Sequence, residues 1–179
     1  MATLPALITV EQFQERPADK GAVAHELHHG EVVTVTRPKA KHYRLQLRLL
    51  DLLRPRAASL GVAGIEMPFR AVAQFDLRAA DVAVVSQARW DAIDLEDNLR
   101  GAPDLVVEIK SASNTWAELR ERASLCLANG CRDFWIVDEK ARTVTAIAPD
   151  GRAVQYAAGD CVPLPVFGPG CLPVPDIFD

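Results

Sequence analysis

The sequence predicts an α+β fold, α/β in its central part: a mixed β-sheet core flanked by helices, with β-hairpins in its N-terminal and C-terminal parts. Three observations predict it. The apolar runs DVAVVS (81–86), DLVVEIKS (104–111) and RDFWIVD (132–138) have the length and β-branched content of buried strands. The segments 39–54 and 114–129 carry apolar residues at helical spacing instead. The order of elements is helix, hairpin, helix, several strands, helix, strands, which suits one sheet with helices packed on it. With 179 residues, 49% hydrophobic and 25% charged, the chain has enough apolar material for one domain with a real core.

Each element has its own local cause. Thr9-Val-Glu-Gln12 has capping-box spacing and opens a short helix that ends near Pro17. AVAHELHH and EVVTVT, joined around Gly30, read as a hairpin. After Pro38, Leu45, Leu49 and Leu52 fall on one side of a helix over 39–54, with basic flanks. GIEMPFRAVA reads as a strand, in which Pro68 points to an edge or a bulge. The acidic stretch WDAIDLEDNLRGAP reads as a loop with a helical turn. Ser113 or Asn114 is placed to cap the next helix, with Gly130 at its C′ position. TVTAIAPDGRAVQYA reads as a hairpin turning at Asp150-Gly151, and the proline-rich tail as a surface wrap.

No apolar run approaches the roughly 20 residues that span a bilayer. The N-terminal MATLPALITVEQF has no basic region and soon meets Glu11, unlike a secretory leader, so a cytoplasmic location is expected. Cysteines stand at 126, 131, 161 and 171 with no CxxC pair, which reads as four reduced thiols rather than a zinc ribbon. Residues 37–56 hold seven cations against one acid, a net +6. On a chain of total charge −4, the remainder then carries −10, so a basic surface sits on an acidic protein.

The strands of 81–86 and 104–111 carry the chemistry. Side chains alternate along a strand, so Asp104, Val106, Glu108 and Lys110 share one face, and Asp81 shares one with Ala83 and Val85. If these strands are neighbours, Asp81 and Glu108 converge, and two ionised carboxylates a few ångströms apart repel. A divalent cation such as Mg²⁺ (or Mn²⁺), which prefers oxygen ligands, removes that penalty. Lys110 then suits the orientation of a water molecule or the stabilisation of charge developing on a phosphate.

An acid opening one strand, followed by Glu-x-Lys on the next, resembles the PD-(D/E)xK nuclease superfamily. The stretch GAPDLVVEIKSASNTWAELRERASLCLANGCRDFWIVDEKARTVTAI looks like the core of the Uma2 family (DUF820), a bacterial set of restriction endonuclease-like proteins; HELHHGEVV and FGPGCLPVPDIFD resemble its two ends. The resemblance implies a restriction endonuclease-like domain over 1–179. Asp81 and Glu108 would be metal-binding acids, Glu31 a further acid at the metal, Lys110 the catalytic lysine and Arg122 a basic position on the following helix. Asp81 follows Ala-Ala where relatives have Arg-Pro, whereas Lys110 stands where many relatives have an apolar residue, which brings this chain closer to the nuclease pattern. The implied activity is Mg²⁺-dependent hydrolysis of DNA to 5′-phosphate ends; because a small domain that engages two strands often does so as a symmetric pair, a homodimer is expected, with no membrane partner.

Plainer readings stand beside these. Glu108 and Lys110 could be a same-face ion pair on a solvated sheet; burial decides, because a charge deep in an apolar run needs a partner or a metal. Asp104, after Pro103, reads as a turn residue. His28 and His29 point to opposite faces of a strand, which disfavours a histidine metal site, and His42 reads as a surface residue, with a phosphate contact or a remote catalytic role as the alternative. Trp116, Phe134 and Trp135 fit the core pattern. No Gly-rich phosphate loop or G-x-S-x-G elbow is present. The rival functions are a non-catalytic nucleic-acid-binding or regulatory module that keeps the fold, and a hydrolase of small phosphoesters.

Overall fold

The structure, a computed structural model, describes residues 6–17, 23–112 and 114–179. The first five residues of the N-terminal segment and the candidate cap Ser113 lie outside them. Helix α1 (Val10–Gln14) has the expected capping box, with Thr9 and Gln12 exchanging hydrogen bonds. Strands β1 (Val23–His28) and β2 (Glu31–Thr36) form the hairpin. His29 and Gly30, both at positive φ, form its two-residue turn, the geometry that matches the twist of paired strands.

Seven strands make the main sheet: β3 (Gly61–Arg70), β4 (Arg78–Ser86), β5 (Leu99–Arg100), β6 (Leu105–Lys110), β7 (Asp133–Asp138), β8 (Thr143–Ile147) and β9 (Ala153–Tyr156). Their order is β5-β3-β4-β6-β7-β8-β9. β6 and β7 run parallel, as do β3 and β5, and the other pairs are antiparallel, so the sheet is mixed. A parallel pair needs a crossover; α4 (Trp116–Ala128) supplies it between β6 and β7. β5 covers only Phe69 and Arg70 of β3, which leaves Pro68 on the open part of that edge, where its missing N–H costs no ladder bond.

The sheet has a core on each side. Leu45, Leu49 and Leu53 of α2 (Ala40–Ala57) pack on Val82, Val84, Val107, Ile109, Trp135 and Val137. On the other side, Leu119, Ala123 and Cys126 of α4 pack on Ala83, Val85, Val106, Phe134 and Ile136. No described helix is long and apolar enough to cross a membrane.

Several elements depart from expectation. α2 runs through Pro55 to Ala57, a turn past its expected end, although Pro55 has no N–H to give the Asp51 carbonyl. α4 is capped by Thr115 with Glu118 rather than by Asn114, whose side chain instead accepts from the Ser111 N–H. α3 (Gln87–Asp91) lies mostly before the acidic stretch rather than within it, sharing only Trp90 and Asp91 with it. The tail is not a surface wrap: β10 (Cys161–Pro163), β11 (Cys171–Pro173) and α5 (Val174–Phe178) place Val162, Leu164, Leu172, Val174 and Ile177 in the α2-side core. Nor are all four cysteines free thiols. Cys161 and Cys171 form a disulfide across β10 and β11, while Cys126 and Cys131 are buried thiols.

Candidate active site

β4 and β6 set the two acids side by side along the backbone where their ladder ends, with their side chains leaving on opposite faces of the sheet. The register stops at Val82↔Val107; continued by one residue, it sets Asp81 opposite Glu108. Beyond that point β6 has an N–H facing β4 with no main-chain acceptor left. The Asp81 carboxylate takes its place: Ile109 N–H donates to Asp81 Oδ2 at 2.7 Å.

Asp81 does not share its face with Ala83 and Val85. Its Oδ1 accepts from His42 Nε2 (2.8 Å) and Gln46 Nε2 (2.9 Å), both on α2, across the sheet from the Ala83 and Val85 core. The cause lies in β3. Glu66 has φ +48°, and the pairing of β3 with β4 skips Glu66 and Asp81 while holding on either side, at Ile65↔Val82 and Met67↔Ala80. Across this kink the strand pair turns over. Ile65 and Val82 pack toward α2, whereas Met67 and Ala80 pack toward α4. Gln46 also donates to Glu66, and its own Oε1 is buried beside these acids with no hydrogen-bond partner among the described residues. Burial alone would lower the pKa of the His42 imidazole; the bond to Asp81 and the charges of Asp81, Glu66 and Glu139 outweigh it and raise it.

Glu108 points to the α4 side and is 4% exposed. Its Oε1 accepts from Arg122 Nη1 at 2.9 Å. Arg122 also donates to Glu26 Oε2 at 2.6 Å, so one guanidinium joins a sheet acid to an acid of the hairpin. Glu26 accepts as well from His28 and from the Ala79 N–H. Burial would raise the Glu26 carboxyl, but Arg122, His28 and that N–H hold it below its usual value. Glu108 has fewer donors. Burial, opposed by Arg122 and reinforced by the charges of Asp81 and Glu26, pushes its carboxyl up to about 8. One guanidinium does not neutralise this group of acids, and Glu108 is the member whose carboxyl is raised. Arg122 itself is held cationic by Glu108 and Glu26 against the effect of burial.

Lys110 shares the Glu108 face but turns outward: its Nζ lies 3.6 Å from Asp138 Oδ2 and 5.8 Å from the centre of the Trp116 ring. Its ion pair is thus with Asp138, not with Glu108. Glu31 is exposed at the start of β2, opposite His28. The hairpin acid that reaches the centre is Glu26, which sequence reading passed over. Besides His28, its partners lie 53 and 96 residues away, and the local sign was an acid set inside a strand. His42 and Gln46 were equally hidden, since nothing in a helix sequence says which strand its inner polar residues meet. His28 and His29 bind Glu26 and Glu121, the hairpin's anchors, rather than one another. Asp104 is structural: it accepts from the Ser86 N–H and from Arg89.

Among the described residues, no three His, Cys, Asp or Glu side chains form a ready-made metal cage. Mg²⁺ does not require one, since it is commonly held by one or two carboxylates plus water and substrate phosphate. Asp81 and Glu108 stand on adjacent strands with their carboxylates on opposite faces, so a shared ion would sit at the end of the ladder and one side chain would turn to reach it; Glu108, short of compensating charge, and the orphaned Gln46 Oε1 fit that chemistry.

Comparisons with known proteins agree with this architecture. No curated protein matches the chain. Among solved structures, it is similar to a protein described as a putative nuclease belonging to DUF820, from Anabaena variabilis ATCC 29413. The two are 21% identical, over 96% of this chain and 97% of that one, with a TM-score of 0.81, a likeness of fold. The Uma2 family, described as "Putative restriction endonuclease", matches residues 10–174. That match takes in both acidic strands, the hairpin and α4, and the chain belongs to the Uma2 family.

Proposed function

We propose that this protein is a metal-dependent endonuclease that hydrolyses DNA phosphodiester bonds. The observation that carries the proposal is the placement of Asp81 and Glu108 on adjacent strands just past the end of the β4–β6 ladder, where the charge of Asp81 adds to burial in raising the Glu108 carboxyl to about 8. A purely structural acid would be arranged to stay ionised, whereas groups strained in this way cluster at functional sites. Family membership and the fold of a DUF820 neighbour support the nuclease reading.

Asp81 and Glu108 would hold Mg²⁺ or Mn²⁺; of the hairpin acids, Glu26 is better placed than Glu31 to join them. The ion, when bound, supplies Lewis-acid stabilisation of charge on the scissile phosphate and the leaving oxygen. His42, Gln46 and the Ile109 N–H fix the Asp81 carboxylate, so it loses no rotamer freedom on meeting a ligand. Glu108 gives up its proton to take part, and Arg122 remains to hold its Oε1. Lys110 would leave Asp138 to orient the attacking water, a small move for a flexible, partly exposed amine. A second copy of the chain would let one assembly cut both strands.

The test is incubation of the full chain with supercoiled plasmid in Mg²⁺ or Mn²⁺, beside Glu108→Gln and Lys110→Ala proteins whose circular dichroism matches the wild type. Nicking or linearisation by the wild type alone, with 5′-phosphate ends, is expected. Cutting that persists in Glu108→Gln would exclude this centre, and absence of both cutting and calorimetric metal binding would favour a non-catalytic module.

A further inference from the structure

We propose that the outer face of α2 is the surface that binds the nucleic-acid phosphate backbone, an inference that names the contact surface of the nuclease proposed above. In most of this protein, cations are neutralised. Arg70, Arg78, Arg89, Arg100 and Arg122 all sit on carboxylates. α2 is different. Lys39, Arg44 and Arg54 make no ion pair with any described residue, and Arg48 donates only to a main-chain carbonyl, that of Asp176, so its charge stays uncompensated. Lys41 pairs with Glu139 at 3.2 Å while remaining 77% exposed.

The spacing makes these charges one stripe. Lys41, Arg44, Arg48, Asp51 and Arg54 follow at steps of three or four residues, so they line a single face. The stripe is about 20 Å long at 1.5 Å per residue, the length of about six base-pair steps. Asp51 is its one acid. The first turn of α2 holds no acid and its N-cap Lys39 makes no side-chain cap, although acids are what a helix start ordinarily favours. That array is unfavourable alone and favourable against a polyanion, and guanidinium groups match phosphate oxygens in pairs.

The stripe is tied to the catalytic centre through the helix itself. His42 and Gln46 reach Asp81 from the inner face, while Arg44 lies two residues on from His42, about 200° around the helix. A backbone lying along the stripe therefore reaches Asp81 by crossing the N-terminal end of α2, where Lys39 and Lys41 stand. An anionic membrane suits the stripe less well. The apolar residues Leu45, Leu49 and Leu53 lie in the core, Leu52 is partly buried against it, and Tyr43 and Leu47 are the large apolar residues of α2 left exposed, at 44% and 39%.

The experiment measures binding of a labelled 20-base-pair duplex to the full chain in EDTA, where cleavage is off, between 50 and 200 mM salt. It compares wild type, Arg44→Gln/Arg54→Gln and a control with the same charge change elsewhere, Arg16→Gln/Arg132→Gln. Each phosphate contact contributes about 0.9 to the slope of log affinity against log salt, so the α2 pair should flatten it by about 1.8 and the control should leave it near the wild-type value. Equal slopes in both variants, no duplex binding by wild type, or binding to phosphatidylserine vesicles in place of duplex would each overturn the inference. The two proposals fail separately. Salt-dependent binding through α2 without cutting in Mg²⁺ leaves this surface standing and removes the nuclease. Cutting with an unchanged KM in the α2 variant does the reverse.

Discussion

Replacing Glu108 by glutamine should make the protein more stable while abolishing its proposed activity. The amide keeps an oxygen for Arg122 and nearly the same volume, so packing is unchanged. What changes is charge. The Glu108 carboxyl lies near 8 in the folded protein against 4.5 in the unfolded chain. An acid whose folded value is raised binds its proton more tightly in the native state. The stability this gives is fully present below about 4.5 and is lost as pH rises toward 8. At 1.36 kcal/mol per unit, the ceiling of that loss is about 5 kcal/mol at pH 8 and about 2 kcal/mol at pH 6. Glutamine does not titrate, so the gap between variant and wild type should widen steadily between those values.

The assay is urea denaturation of both proteins at pH 5, 6, 7 and 8. The competing view, a satisfied structural ion pair, predicts the opposite sign, since removing one partner of a buried pair costs about 3–5 kcal/mol. A variant less stable than wild type at pH 8, or a gap that does not change with pH, would refute the reasoning. Magnesium adds an independent arm. At 100 times its dissociation constant it should stabilise the wild type by about 2.7 kcal/mol and the variant much less.

Three further outcomes follow from particular contacts. Asp133, 5% exposed and pushed up to about 6 chiefly by burial, accepts from Trp135 Nε1, a bond that asparagine can keep. Asp133→Asn should therefore gain about 1–3 kcal/mol above pH 6 and nothing below pH 4, by the same denaturation series. Gly61→Ala puts a Cβ 1.9 Å from the Val85 carbonyl oxygen, backbone against backbone, and should cost about 3 kcal/mol or more in a thermal melt. The Cys161–Cys171 bridge closes a separation of 10 residues. Cys161→Ser/Cys171→Ser should lose about 2.7 kcal/mol on the chain-entropy scale, and dithiothreitol should bring the wild type down to meet it.

Much of the fold was legible because its signals are local. The runs that became β4, β6 and β7 are apolar on both faces, and a strand covered by helices on both sides must be so. The β1–β2 hairpin announced itself by the glycine its turn requires at positive φ. The tail was not legible, because its prolines break any period that a reader could count. Its burial follows from where α2 lies, not from its own pattern. The disulfide was hidden for a related reason, since two cysteines become partners only when β10 and β11 pair.

The candidate site divides along the same line. Period two assigned the faces of β6 correctly, and Glu108 and Lys110 do point to the α4 side. It failed at Asp81, because that rule assumes an unbroken ladder and Glu66 breaks this one. The break has a consequence for chemistry. A regular β4 would aim Asp81 at α4, beside Glu108, Glu26 and the single guanidinium of Arg122, and would crowd three acids onto one cation. The kink instead hands Asp81 to His42 and Gln46 on α2, so the two acids meet across the end of the ladder with separate supporting groups on opposite faces of the sheet. That division lets Asp81 stay fixed by donors while Glu108 stays short of them. A left-handed glutamate costs of order 1–3 kcal/mol, and strain at this position is what sets the two carboxylates apart in environment while keeping them adjacent.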